Sequence, residues 1–299
     1  SIGAFNAASA TDSITMPPKL HSQQRDIVMR LQGEGGAELL HGQTTADFKE
    51  LRAGESRYAA FCDPKGRILA DVRAVMISPD DILVRGRTQV LERLADHLKP
   101  FLMFARTTMT PTDWRVSAHK GGDGAAVATL GFEGTTLSTV VIPSEGGYEE
   151  HWTSPQSAAQ PEVGSDLAEW ELQNARARVE VDTIGTYLPQ DLNFDLNGTV
   201  SFTKGCYTGQ EIIARLHYRG TPKRRLHRAQ SPADVTPGQT LRDGEKQAVG
   251  SVVNVSHCAE HHDLLIELKP DAAKTAVFIE DTDTSITHIS LCHEQENPS

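Results

Sequence analysis

The most informative stretch of the chain is SFTKGCYTGQEIIARLHYRG, Ser201 to Gly220. Gly205 and Gly209 frame Cys206 in a loop that leads into Ile212, Ile213 and Leu216, apolar residues at helical spacing. A thiol near a helix N-terminus feels the positive end of the dipole. Lys204 and Arg215 add positive charge, and each effect favours the thiolate, which is the reactive form. The same sequence also suits a small buried hydrophobe in a turn.

Two further clusters carry polar chemistry. Arg215, Arg219, Lys223, Arg224, Arg225 and Arg228 place six cations and no acid between residues 212 and 228. Such a stripe can contact tRNA, or it can meet acidic residues of the same molecule. His257-Cys258-Ala259-Glu260-His261-His262 holds possible metal ligands, but consecutive ligands in a loop rarely satisfy tetrahedral geometry alone, so a solvated loop is expected and no metal is assigned. There is no phosphate-binding GxxxxGK[ST] loop, and GEGGAE at Gly33 to Glu38 lacks dinucleotide-binding spacing.

The elements that must position these groups follow from hydropathy. A strand containing Ile27, Val28 and Leu31 is expected to end at Gly33–Gly36, followed by a helix over 37–48. Strands follow at 58–62, 68–77 and 82–85, with a turn at Asp63–Gly66. Val90, Leu91, Leu94 and Leu98 predict a helix over 88–99. Short strands at 126–131 and 137–142 precede a helix over 166–177, and a crossing segment spans 221–237. Strands at 248–255, 263–268, 275–279 and 285–291 read as a small barrel.

The chain has 299 residues and a net charge of −11, which disfavours a generic coat for DNA or anionic membrane. Residues 231–299 carry 12 acids and 4 bases, so most of the negative charge belongs to the C-terminal part. The four cysteines, Cys62, Cys206, Cys258 and Cys292, form no CxxC pair and fit a reducing, cytoplasmic setting. Cys62 reads as a strand-end core residue and Cys292 as a tail thiol. No apolar run is long enough for a membrane helix, and residues 1–19 read as a flexible tail rather than a secretory signal.

KGCYTGQE, Lys204 to Glu211, resembles the signature of the YgfZ-type folate-binding proteins, relatives of the glycine-cleavage T-protein, an aminomethyltransferase. HGQTTADF (His41 to Phe48), FCDPKGRILADV (Phe61 to Val72) and RARVEVDTIGTYLPQDLNF (Arg176 to Phe194) extend the resemblance, which covers residues 20–256. It implies an α+β fold: a three-domain ring of two αβ domains and a C-terminal β-barrel around a central folate channel. The expected division is 20–48 with 109–220, then 49–108, then a barrel over 221–299.

The resemblance also implies tetrahydrofolate or a one-carbon derivative as cofactor. The implied role is in iron–sulfur cluster assembly or repair, supporting enzymes such as those that thiolate tRNA. Assembly factors or client enzymes would be the partners. Cys206 would be the essential thiol. Glu180, in Arg178-Val179-Glu180, would accept the pterin N–H edge. Arg67, Arg73 and Arg215 would face the folate carboxylates, with Gln43, Lys204, Tyr207 and Gln210 completing the lining. Asp71 matches the second member of an Asp-Asp pair that T-proteins use beside the folate, but Ala70 replaces the first. That departure weakens the alternative reading, a tetrahydrofolate-dependent aminomethyl- or methyltransferase with Asp71 as its carboxylate. A non-catalytic scaffold for cluster carriers is the third reading.

Overall fold

The computed structural model describes residues 25–122, 127–158 and 164–293. The expected tail, residues 1–19, lies outside the described residues. Strand β1 (Asp26–Gly33) leads into helix α1 (Gly36–Gln43), then strands β2 (Ser56–Cys62), β3 (Ile68–Ser78) and β4 (Asp81–Arg87). Helix α2 (Thr88–Phe104) and strand β5 (Thr107–Pro111) complete an antiparallel sheet of order β2-β3-β4-β1-β5. Strand β1 sits between β4 and β5, in register from Asp26 opposite Arg87 to Gln32 opposite Asp81. The expected boundary between 20–48 and 49–108 therefore runs through one sheet.

Both faces of this sheet are covered. Ile27, Met29 and Leu31 point towards Val90, Leu91, Leu94 and Leu98 of α2. Val28, Val75 and Leu83 pack with Trp114, which precedes a second sheet, and with Val140, Ile142 and Trp152 of that sheet. That second sheet is formed by β6 (Arg115–Lys120), β7 (Thr129–Glu133), β8 (Thr136–Ser144) and β9 (Tyr148–Thr153), in the order β6-β9-β8-β7. The expected strand at 126–131 begins outside the described residues; β7 starts at Thr129.

Two helices end earlier than their apolar pattern suggests. Helix α1 stops at Gln43 because Thr44 is extended and turns its Oγ1 back to the Leu40 carbonyl at 2.7 Å. Phe48 is still buried, on the loop rather than the helix. Helix α3 (Leu167–Gln173) is capped by the Asp166 carboxylate on Ala168 N and ends before Ala175, whose φ is 55°. After α4 (Gln210–Arg219), six strands close a barrel: β10 (Arg225–Ser231), β11 (Thr240–Asp243), β12 (Ala248–His257), β13 (His262–Leu268), β14 (Val277–Ile279) and β15 (Ser285–Leu291). The expected crossing segment 221–237 thus supplies β10, a barrel strand.

Candidate functional site

Three of the sequence motifs converge on the thiol loop. Lys204 Nζ donates to the carbonyls of His41, Thr44 (2.8 Å) and Ala46 (3.0 Å), tying 204–209 to the end of α1. Thr208 N donates to Gly42 O at 3.2 Å, and Ser201 N to Thr45 O at 2.8 Å. On the other side Gly209, at φ 86°, packs against the Asp63–Gly66 turn so closely that a Cβ would stand 2.6 Å from Asp63 O. Gln190 Nε2 donates to Ile213 O at 2.9 Å and fixes α4 from the fourth matching segment. Cys206 is exposed at the crest of this scaffold, four residues before α4 begins.

The scaffold uses several residues expected to touch a ligand. Lys204 is buried, and burial pulls its pKa down to about 8. Its three donors meet three carbonyls, so it staples the loop instead of offering a free cation to Cys206 or to a folate. Tyr207 is buried too, its ring 4.7 Å from Lys204 Nζ. Gln210 opens α4, half-buried.

Asp71, Arg73 and Glu180 fall in a second place, a buried ion-pair network between the two sheets and the barrel. Arg178 donates from Nε to Asp71, from Nη1 to both Glu171 oxygens (2.9 and 2.8 Å), and from Nη2 to Asp26 at 3.3 Å. Asp71 Oδ1 also accepts from Val179 N at 2.7 Å. Both Asp71 oxygens thus hold the segment that precedes the barrel, a use at odds with a free catalytic carboxylate. Arg73 and Arg85 share Glu150 Oε1 at 2.8 and 2.7 Å, and Trp152 Nε1 donates to Glu150 Oε2 at 2.9 Å. Burial alone would raise the Glu150 pKa; the charges of Arg85 and Arg73 and their hydrogen bonds outweigh it and hold the group at about 2. Glu180 Oε1 accepts from Arg87 Nε at 3.2 Å and Asn254 Nδ2 at 3.3 Å, joining the network to barrel strand β12, with 19% of its side chain exposed.

A cavity of about 290 Å³ opens beside this network. Arg57, Tyr58, Arg73, Tyr148, Asn174 and Arg176 are among its walls. The Arg176 guanidinium lies 3.5 Å from the centre of the Tyr58 ring, and that of Arg73 4.6 Å from it. Among the described residues, Arg57 Nε and Arg73 Nε are buried without a hydrogen-bond partner. Arg57, Arg73 and Arg176 make the walls strongly basic, so the cavity suits a ligand with anionic or acceptor groups. Arg57, Tyr58 and Arg176 were not expected from sequence. Arg176 opens a matching segment, and Tyr58 starts the strand expected over 58–62 with Arg57 just before it, but neither spacing shows that they meet.

The remaining expected residues are scattered. Arg67 donates to Thr186 O at 2.9 Å at the turn below Gly209. Arg215 pairs on the surface with Glu211 at 2.8 Å. Gln43 lines a different, mostly apolar groove with Leu39, Phe101 and Phe104. Within the basic stripe, Arg224 meets Glu267 of the barrel at 2.7 Å, Arg225 meets Asp195 at 2.7 Å, and Arg228 donates to the carbonyls of Leu172 and Gln173. Arg215, Arg219 and Lys223 stay exposed. Cys62 is buried in the core, and Cys292 is half-buried against it, where burial raises its thiol pKa to about 11.

This arrangement is the fold of the aminomethyltransferase T proteins. The glycine cleavage system aminomethyltransferase T of Bartonella henselae superposes with a TM-score of 0.61, covering 90% of this chain and 83% of that one at 14% identity. No family model matches the chain. In sequence the chain is a homologue of proteins named tRNA-modifying protein YgfZ. It is 28% identical to that of Escherichia fergusonii over 245 residues, 74% of each chain. It is 24% identical to that of Blochmanniella pennsylvanica over 261 residues, 80% of this chain and 79% of the relative. No helix among the described residues is long and apolar enough to cross a membrane.

Proposed function

We propose that this chain is a cytoplasmic folate-binding accessory protein for iron–sulfur cluster assembly or repair, in support of iron–sulfur enzymes such as those that modify tRNA. The observation that carries the reading is the cavity at Tyr58, walled by Arg57, Arg73 and Arg176. Arg57 and Arg176 suit the carboxylates of a folate. Tetrahydrofolate would supply one-carbon carrying capacity there. Cys206 is the second active group: an exposed thiol on a loop stapled at both ends, able to hold a persulfide or a cluster iron transiently. The engagement of both Asp71 oxygens weighs against aminomethyl transfer.

Titration with tetrahydrofolate, followed by intrinsic fluorescence, tests the binding half. Saturable quenching is expected, weakened at least tenfold by Arg176→Ala; an unchanged signal at high micromolar ligand would leave the scaffold reading. Glu180→Gln, measured alongside, reports whether the pterin edge reaches the barrel side of the network. The thiol half is tested in a strain lacking the gene. Cys206→Ala is expected to leave tRNA thiolation deficient, and full restoration would remove the thiol from the function.

A further inference from the structure

The last residue of β12, His257, and the first of β13, His262, are register partners. Directly opposed residues of paired strands share a face, and their immediate neighbours take the other. The ligand-rich run is therefore divided between two faces of one ribbon. His257 and His262 stand together with Asp234, while Cys258, His261 and Asp263 form a separate group. This alternation removes the geometric objection to six consecutive residues serving a single ion.

On the first face the two imidazoles are already positioned. Their Nδ1 atoms are 3.1 Å apart, with ring centroids at 4.8 Å and planes at 78°. Asp234 Oδ1 lies 3.0 Å from Nε2 of His262. We propose that this face binds a borderline divalent transition metal of the Zn²⁺ class, ligated by Nδ1 of His257 and Nδ1 of His262, with Asp234 orienting His262 from behind.

Three physical points support the assignment. With metal–nitrogen bonds of about 2.0–2.1 Å, two ligands on one ion stand about 2.9–3.4 Å apart between right-angle and tetrahedral geometry, and the observed 3.1 Å falls inside that interval. A carboxylate on the far nitrogen of a ligating histidine fixes its tautomer and raises its basicity. With Nε2–H given to Asp234, His262 presents the Nδ1 lone pair, and His257 needs only to move its proton to its other nitrogen. Finally, imidazole pairs select zinc, copper or nickel over magnesium and calcium, which prefer all-oxygen sites. Water would fill the remaining positions, and the ion would join the two strands at the end of the ribbon.

The test is calorimetric titration of the full chain with Zn²⁺ alone in a non-chelating buffer, followed by the Co²⁺ spectrum. One saturable equivalent is expected. His257→Ala and His262→Ala should each weaken it at least tenfold, Asp234→Ala should weaken it about tenfold, and Cys258→Ser should leave it unchanged. The Co²⁺ form should lack a thiolate charge-transfer band. Because His257 and Asp234 are exposed, their variants should keep the wild-type circular dichroism and melting curve, and His257→Ala therefore carries the test should the half-buried His262→Ala lower stability. Absence of saturable binding, indifference to both histidine variants, or loss on Cys258→Ser with a thiolate band would overturn the assignment. Indifference to Asp234→Ala would remove Asp234 from it.

Discussion

The ammonium of Lys204 donates to the carbonyl of Thr44 at 2.8 Å, across 160 residues of sequence, and fastens the Cys206 loop to the end of α1. The same nitrogen serves His41 and Ala46. Charge-assisted hydrogen bonds are the strong ones, and buried acceptors left without donors are costly. Lys204→Met keeps the apolar stem but removes all three bonds. It is expected to lower stability by about 2–4 kcal/mol. Amide exchange over 41–46 and 204–209 should accelerate together; acceleration on one side alone would mean that the two segments are not fastened by this side chain.

Glu150 sets an acid limit on the fold. It is fully buried, and its folded pKa of about 2 lies below the ordinary glutamate value of 4.5. A lowered carboxylate pKa contributes stability that is present above pH 4.5 and lost as pH falls towards 2, because the unfolded chain then binds the proton first. The shift corresponds to up to about 3 kcal/mol. Glu150→Gln leaves Arg73 and Arg85 short of a counter-charge, so it should cost about 3–5 kcal/mol at neutral pH. It should also flatten the stability loss between pH 5 and pH 2. Urea unfolding at stepped pH measures both, and an equally steep acid loss in the variant would place the titration elsewhere.

Asp71 separates a structural carboxylate from a chemical one. Its oxygens hold Arg178 and Val179 N. Asp71→Asn is expected to destabilise the protein by about 2–4 kcal/mol, as breaking a buried pair does. Tetrahydrofolate affinity per folded molecule should change by less than threefold. Unaltered stability with a tenfold or greater loss of a folate-dependent activity would return Asp71 to the chemistry.

How much of this was legible in the sequence depends on how far apart the interacting residues lie. The thiol loop and its leading glycines could be read locally, because a framed cysteine ahead of an apolar-periodic helix is a short-range pattern. The partner of Asp71 could not, since Arg178 is 107 positions away and nearer arginines offered themselves first. Arg73 reads as a channel cation through the resemblance, which calls for cations facing a folate; Glu150 reaches it from β9, a strand that hydropathy did not reveal. In YEEHWT the core-facing positions are Tyr148, Glu150 and Trp152, and the buried glutamate breaks the apolar alternation that marks a strand. Strand β1 lies between β4 and β5, a non-local pairing, so a division that joins 20–48 to 109–220 and sets 49–108 apart runs through the sheet.

Gly209 offers the sharpest test of whether the backbone beneath the thiol matters. Its φ of 86° is left-handed, and an added Cβ would lie 2.6 Å from Asp63 O and 3.2 Å from Cys62 Cβ. Backbone cannot yield as a flexible side chain can, so steric strain adds to the conformational cost. Gly209→Ala should lower stability by about 2–4 kcal/mol and shift the loop away from the Asp63–Gly66 turn. Gly205→Ala is the matched control on the other side of Cys206. Its Cβ would meet only His41 Nε2, at 3.8 Å, and the change should stay below about 1 kcal/mol. Thiol labelling under native conditions reads the loop directly, since Cys206 and Cys258 are the exposed cysteines and Cys62 is buried. On a Cys258→Ser background the Cys206 labelling rate should change severalfold in Gly209→Ala and stay at the parent value in Gly205→Ala. Equal rates in all three proteins would show that the close packing at Gly209 does not govern how the thiol is presented.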